Sequence, residues 1–191
     1  MSKGRLEAFS DGVMAILITI LVLELVPPRG TDLAALGGVL HVFLAYALSF
    51  VLLAIYWNNH HHLFQAAHHV DGRVLWANMH LLFWLSLLPF VTGWMGETGF
   101  PSVPVAAYGF VCLAAGGAYY WLERCLVRLE PEDGTLRTAV GGDWKGRVSL
   151  VVYALAIVAA VVLPPLALTG YVLVAALWFV PDTRIERALG R

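Results

Sequence analysis

The chain predicts an all-α integral membrane protein, one domain of about six transmembrane helices over its 191 residues. Three observations point there. Hydrophobic residues make up 60% of the chain and charged ones 13%, about half the charged share of a soluble domain. The apolar residues fall in long runs, and roughly 18 nearly uncharged residues are what a helix needs to cross ~30 Å of hydrocarbon. The Lys and Arg residues, finally, collect on one side of such a topology.

The first span runs from about Phe9 to Val26 and stops at Pro27-Pro28, since a proline pair has no amide hydrogens to continue the ladder. It is a span in its own right with no small-residue cleavage site after it, so it reads as retained. Arg29 to Asp32 forms a short outer loop. The second span covers Leu36 to Trp57 and continues into a polar, histidine-rich end, Asn58 to His69, before a turn at Asp71-Gly72-Arg73. The third runs from Val74 to Trp94, and Gly96 to Pro104 reads as an outer loop rich in helix breakers. The fourth occupies Val105 to Leu122. A polar segment, Glu123 to Arg147, carries Glu130-Pro131-Glu132-Asp133-Gly134 and Gly141-Gly142-Asp143 and is too short for a domain. The fifth span, Val148 to Leu163, ends at Pro164-Pro165, and the sixth, Ala167 to Val180, at Pro181-Asp182. These two are short, so a re-entrant hairpin stays open beside a full crossing.

Six spans put every basic residue except Arg29 on one side: Lys3 and Arg5, then Arg73, then Arg124, Arg128, Arg137, Lys145 and Arg147, then Arg184, Arg187 and Arg191. Positively charged short loops stay in the cytoplasm, which places both termini there, in a multi-pass protein of the cell membrane. Five spans would break the separation.

A net charge of -1 excludes nucleic acid as a partner, because phosphate binding needs clustered Lys and Arg. Cys112 and Cys125 fall on different faces of a helix and suggest buried thiols, not a disulfide or metal pair. His60, His61 and His62 are consecutive and splay around the helix, without the i, i+4 spacing of a helical zinc pair; only pairs such as His61 with His68 share a face. Interfacial, solvated histidines are the expectation, and no metal or cofactor. There is no GxSxG elbow, no HExxH and no phosphate-cradling loop, so no enzyme is indicated.

The first span carries the chemistry. Asp11 sits just inside an apolar helix, where an unpartnered carboxylate costs at least ~2.5 kcal/mol. Partners are available in Tyr56-Trp57-Asn58-Asn59-His60 of the second span and Asn78 and His80 of the third. At 100° per residue Gly12, Ile16, Ile20 and Leu23 share one stripe, Thr19 flanks it, and Asp11 points away. Either this stripe packs against helices of the same subunit, or it lines a symmetry axis where several copies meet; periodicity does not choose. Glu24 and Glu97 lie near the outer surface, where attracting cations to a mouth competes with plain solvation.

Arg5 with Phe9-Ser10-Asp11 opening a first span resembles the signature of the lysosomal potassium channel family, transmembrane protein 175 and its prokaryotic relatives. Tyr56-Trp57-Asn58-Asn59-His60, Asn78 and Leu88-Pro89-Phe90 resemble its second and third spans. The resemblance implies a homotetramer of six-helix subunits, the first helix of each lining a central pore that conducts potassium. It implies an apolar constriction at Ile16, a threonine tied to selectivity at Thr19, and further apolar pore positions at Ile20 and Leu23. Arg5, Phe9, Ser10 and Asp11 would be structural, tying the pore helix to Trp57, Asn58, His60 and Asn78. The expected partners are a second, third and fourth copy, membrane lipid and potassium ions. The rivals are a proton-coupled secondary transporter using Asp11 or Glu24, against which stands the missing inverted repeat, and a small membrane enzyme.

Overall fold

The computed structural model describes residues 2–131, 136 and 144–179, and among them the regular structure is entirely helical. The Glu132-Asp133-Gly134 and Gly141-Gly142-Asp143 segments, Arg137, the end of the sixth span at Val180 to Asp182, and Arg184, Arg187 and Arg191 lie outside the described residues.

Helix α1 (Lys3–Leu23) is the first span, and its C-cap is Glu24. The second span is divided. A short α2 (Leu33–Gly38), capped by Asp32 Oδ1 on the Ala35 N–H at 2.9 Å, breaks at Val39 before α3 (Leu40–Ala66). The Gly37-Gly38 pair accounts for the break, because two residues without side chains lose the most conformational freedom in a helix. The 27 residues of α3 reach about 40 Å at 1.5 Å per residue, so the histidine-rich end continues the helix past the apolar stretch.

The expected third span contains an interruption. Helices α4 (Gly72–Ser86) and α5 (Leu88–Glu97) meet at Leu87, because Pro89 has no amide hydrogen for the Leu85 carbonyl. The outer loop after α5 is shorter than the breakers suggest. Gly99 donates to the Gly96 carbonyl and Phe100 to that of Met95, both residues at positive φ (73° and 63°), which closes the helix in a Schellman turn. Helix α6 (Ser102–Val127) then outruns its expected bounds at both ends.

Helices α7 (Trp144–Val162) and α8 (Pro164–Phe179) form a tight pair, with Pro164 at the first position of α8, where its missing donor costs nothing. Among the described residues, five helical stretches are long and apolar enough to cross a membrane, with α4 and α5 counting as one; α8 is apolar but has 16 residues, about 24 Å.

Helix α6 sits centrally, packed on α4, α5 and α7, while α8 seats against α7, α6 and α3. Helix α1 lies against α3, α4 and α5. The core gathers Leu6, Met14 and Leu21 of α1, Leu53 and Phe64 of α3, Leu81 and Leu85 of α4, and Tyr108 and Tyr171 from the other end of the bundle. Cys112 and Cys125 are buried free thiols.

The N-terminal end of the bundle is tied by one loop. Lys3 Nζ donates to the Ala67 carbonyl at 2.8 Å. The adjacent His68 gives both its backbone N–H (2.9 Å) and its ring Nδ1 (3.0 Å) to the Glu130 carboxylate beyond α6. His68 thus leaves the helical face it was expected to share with His61. Burial works to raise the Glu130 carboxyl, but the His68 N–H and imidazole, with His69 nearby, outweigh it and hold the group below its ordinary value. A depressed folded value means that this stabilisation is complete at neutral pH and is lost as pH falls through that value. Glu130→Gln should therefore lower the unfolding midpoint at pH 7 by the equivalent of roughly 1.5–3 kcal/mol. The gap between variant and parent should close in acid, read by thermal unfolding in detergent across pH; a gap that persists unchanged at pH 3 contradicts the role.

Candidate functional site

Helix α1 buries one stripe, Leu6, Ser10, Met14, Leu17 and Leu21, against its own subunit. At 100° per residue, Gly12, Ile16, Thr19, Ile20 and Leu23 lie on the opposite side, and all five are exposed. Ile16 is 58% and Leu23 78% exposed, so the reading in which this stripe packs within the subunit is overturned. The exposed Thr19 hydroxyl donates back to the Ile16 carbonyl at 2.7 Å, and its oxygen can still accept.

Two adjacent residues hold the helix in that rotation. Ser10 points into the bundle, where its hydroxyl donates to the Leu6 carbonyl and accepts from Asn78 Nδ2, both at 2.9 Å. Asn78 Oδ1 is 2.8 Å from His60 Nε2; a carbonyl oxygen only accepts, so Nε2 carries the proton. Ser10, Asn78 and His60 are all buried, and His60 stacks on Phe64 at 4.4 Å between centroids. One step round α1, Asp11 Oδ1 accepts from the Trp57 indole at 3.0 Å, and Trp57 stacks on His61. Of the residues expected in this cluster, Ser10, Asp11, Trp57, His60 and Asn78 come together. Arg5 and Phe9 stand exposed, and Asn58 joins neither chain. Asn78 reaches Ser10 where Asp11 was expected, because the carboxylate lies a further 100° round the helix. His80 is also elsewhere: it accepts from Trp84 Nε1 at 3.2 Å and meets Trp121 edge-on.

Asn78→Leu removes both partners of this chain while keeping the branched shape, and strands the buried His60 N–H. We expect a stability loss of roughly 1–3 kcal/mol, seen as a lower unfolding midpoint, with no change in what the exposed stripe does.

At the far end of α1, Glu24, Ile20 and Leu17 border an open groove of about 710 Å³ together with Gly93, Trp94 and Glu97 of α5. Sequence reasoning placed both glutamates near the outer surface, and the structure brings them to one groove beside the stripe. A Cβ at Gly93 would collide with the Glu24 carboxylate, its Cδ 3.0 Å away, so the glycine makes room for the acid.

A second polar tie escaped the sequence. Thr92 donates to the Leu88 carbonyl at 2.6 Å, which leaves Thr92 as acceptor from Ser49 (2.6 Å) and Ser49 as acceptor from Tyr108 (3.0 Å). This chain crosses α5, α3 and α6 in the apolar interior, where hydroxyls find partners only within the protein. Single Ser, Thr and Tyr residues inside otherwise apolar spans were the available signal. Among the described residues no group of three His, Cys, Asp or Glu side chains is placed to hold a metal.

The family model for the endosomal/lysosomal potassium channel TMEM175 matches residues 5–89, the part of the chain that contains α1 from Arg5 onward and its polar anchors. A protein named potassium channel from Chryseobacterium sp. strain P1-3 is 50% identical over 189 residues, 99% of this chain and 98% of that one. The Homo sapiens endosomal/lysosomal proton channel TMEM175 is 43% identical over 76 residues, 34% of this chain and 15% of the human protein. Among solved structures, that of a lysosomal potassium-selective channel TMEM175 homolog from Chamaesiphon minutus superposes with a TM-score of 0.83 at 27% identity, covering 94% of this chain and 97% of that one.

Proposed function

Because this chain belongs to the TMEM175 family, an ion channel family, we propose that it is a potassium-preferring cation channel of the cell membrane, a homotetramer whose four α1 helices line the pore. One observation carries the reading: the apolar stripe of α1 is turned away from its own subunit, while Ser10 and Asp11 fix the rotation that turns it. Around a fourfold axis the four Ile16 side chains form the constriction. Thr19, Ile20 and Leu23 complete the wall, with the Thr19 lone pairs available to an ion that has shed part of its water. A hydrophobic ring of this kind selects by dehydration, and potassium, the more weakly hydrated ion, crosses more readily than sodium.

Glu24 and Glu97 form an acidic vestibule that concentrates cations at the outer mouth. All six helical spans cross, α8 included, as one domain with both termini in the cytoplasm, since that arrangement alone separates the basic residues. A proton-coupled transporter using Asp11 fits less well, because that carboxylate is held by the Trp57 indole.

The test is electrical and gravimetric together. The detergent-solubilised particle should have the protein mass of four subunits, and liposomes carrying it should pass potassium faster than sodium without dependence on a proton gradient. A monomeric particle, or saturable flux driven by protons, removes the proposal.

A further inference from the structure

Away from the stripe, where α4 begins and α6 ends, Asp71, Arg73 and Trp76 face Trp121, Cys125 and Arg128 across an open groove of about 540 Å³. The residue spacing builds it. Arg73 and Trp76 are three apart on α4, and Trp121, Cys125 and Arg128 are four and then three apart on α6, so each set lies on one helix face. Both guanidinium groups are exposed and near enough to the Cys125 thiol to act on it electrostatically. The carboxylate among the lining residues, Asp71, is already engaged, its Oδ1 accepting from the Val74 N–H at 2.9 Å. Neighbouring Arg124 is turned elsewhere, onto the Tyr120 hydroxyl at 2.6 Å. The groove therefore sets two guanidinium groups against one carboxylate, which is committed to capping the 15-residue helix, and it stays net positive.

The chemistry changes with depth along the same seam. Below the arginines come Trp76 (71% exposed) and Trp121, residues that favour the level of glycerol and carbonyl groups in a bilayer. Further along, His80 and Trp84 make edge contacts with Trp121 and Phe110, and Phe83 stands exposed beside them. Basic rim, indole collar and apolar aromatic wall follow the order phosphate, glycerol ester and acyl chain. A soluble anion would need only the first of these.

We propose that this groove is a binding site for the headgroup of an anionic phospholipid, its phosphate held between Arg73 and Arg128 and its chains laid along the α4–α6 wall. None of its lining residues belongs to α1, and the proposal is independent of ion selectivity.

The experiment uses the whole protein in neutral detergent, with palmitoyl-oleoyl phosphatidylglycerol and phosphatidylcholine as probes and retained lipid read by native mass spectrometry. Phosphatidylglycerol should be retained in preference to phosphatidylcholine, and Arg73→Gln/Arg128→Gln should weaken its binding about 30-fold while leaving phosphatidylcholine unchanged. Arg124→Gln should change neither by more than about twofold. The charge-keeping pair Arg73→Lys/Arg128→Lys should retain most of the binding, which separates loss of charge from loss of fold. Equal retention of the two lipids, undiminished phosphatidylglycerol binding in the Gln pair, equal loss in the Lys pair, or full competition by inorganic phosphate at matched concentration would each overturn the assignment.

Discussion

Ile16→Asn should collapse the discrimination between potassium and sodium while raising total cation flux. The residue is 58% exposed in the isolated subunit, so the exchange does not disturb the core on which folding depends, and its effect is confined to whatever the stripe faces. In the proposed assembly four isoleucines meet at the axis and an ion passes only by shedding water on to a surface that gives nothing back. Four carboxamides return oxygen ligands at that level, the dehydration step shrinks, and the difference between the two ions shrinks with it. Each tenfold of lost permeability ratio corresponds to about 1.4 kcal/mol of barrier difference, and we expect a fall of roughly that size, read as a shift of reversal potential under bi-ionic conditions.

The decisive comparison is Val22→Asn. Val22 is exposed on the same helix but about 120° from Ile16 at 100° per residue, so it carries the same polar change off the stripe. An unchanged ion ratio in Val22→Asn beside a collapsed one in Ile16→Asn places the axis on the Ile16 side of α1. Equal effects, or no effect at Ile16, remove Ile16 from the constriction.

The stripe that carries Ile16 was legible before any coordinates, and the reason is physical. A helix rotates by a fixed angle, so Ile16, Ile20 and Leu23 share a face whatever surrounds them, and the cost of a buried carboxylate forces Asp11 to a partner on α3 or α4. What rotation alone does not give is the partner's identity. Ser10 and Asp11 differ by one step, and that step sends Asn78 to the serine and Trp57 to the acid. His80 was drawn into the same cluster by its nearness in sequence to Asn78, yet two positions along a helix turn it about 200°, on to Trp84 and Trp121.

Proline reports helix ends unevenly. Pro164 opens α8 just past α7, α1 already ends at Leu23, ahead of Pro27, and Pro89 interrupts a span that continues on the other side of Leu87. The Ser49, Thr92 and Tyr108 chain escaped for a different reason: isolated polar residues in three apolar spans show that each needs a partner, but not that the three meet.

Gly109→Ala should be the most destabilising single-methyl change in the α6–α8 contact. A Cβ at Gly109 would overlap the Tyr171 hydroxyl, with its Cζ at 2.7 Å and Ile157 Cγ1 at 3.0 Å. The usual escape, swinging the tyrosine aside, is closed. Tyr171 is fully buried, its hydroxyl donates to the Val105 carbonyl at 3.0 Å, and its ring lies between those of Tyr108 and Tyr153, at 5.5 and 6.0 Å. The helices themselves must separate, and overpacking of a close-packed contact costs about 3 kcal/mol at the upper end of its usual range.

The mechanism is checked by a double-mutant cycle on the unfolding midpoint in detergent. Tyr171→Phe alone gives up one hydrogen bond, about 1 kcal/mol, but it also removes the atom that the new methyl group strikes first. Gly109→Ala/Tyr171→Phe should therefore be more stable than the sum of the single losses predicts, with a coupling of about 1–2 kcal/mol. Rescue should be incomplete, because Cζ remains. Strict additivity would mean that the hydroxyl is not what the methyl group meets. The potassium-to-sodium ratio should be unchanged throughout, since Gly109 and Tyr171 seat the peripheral helices and touch no residue of the stripe.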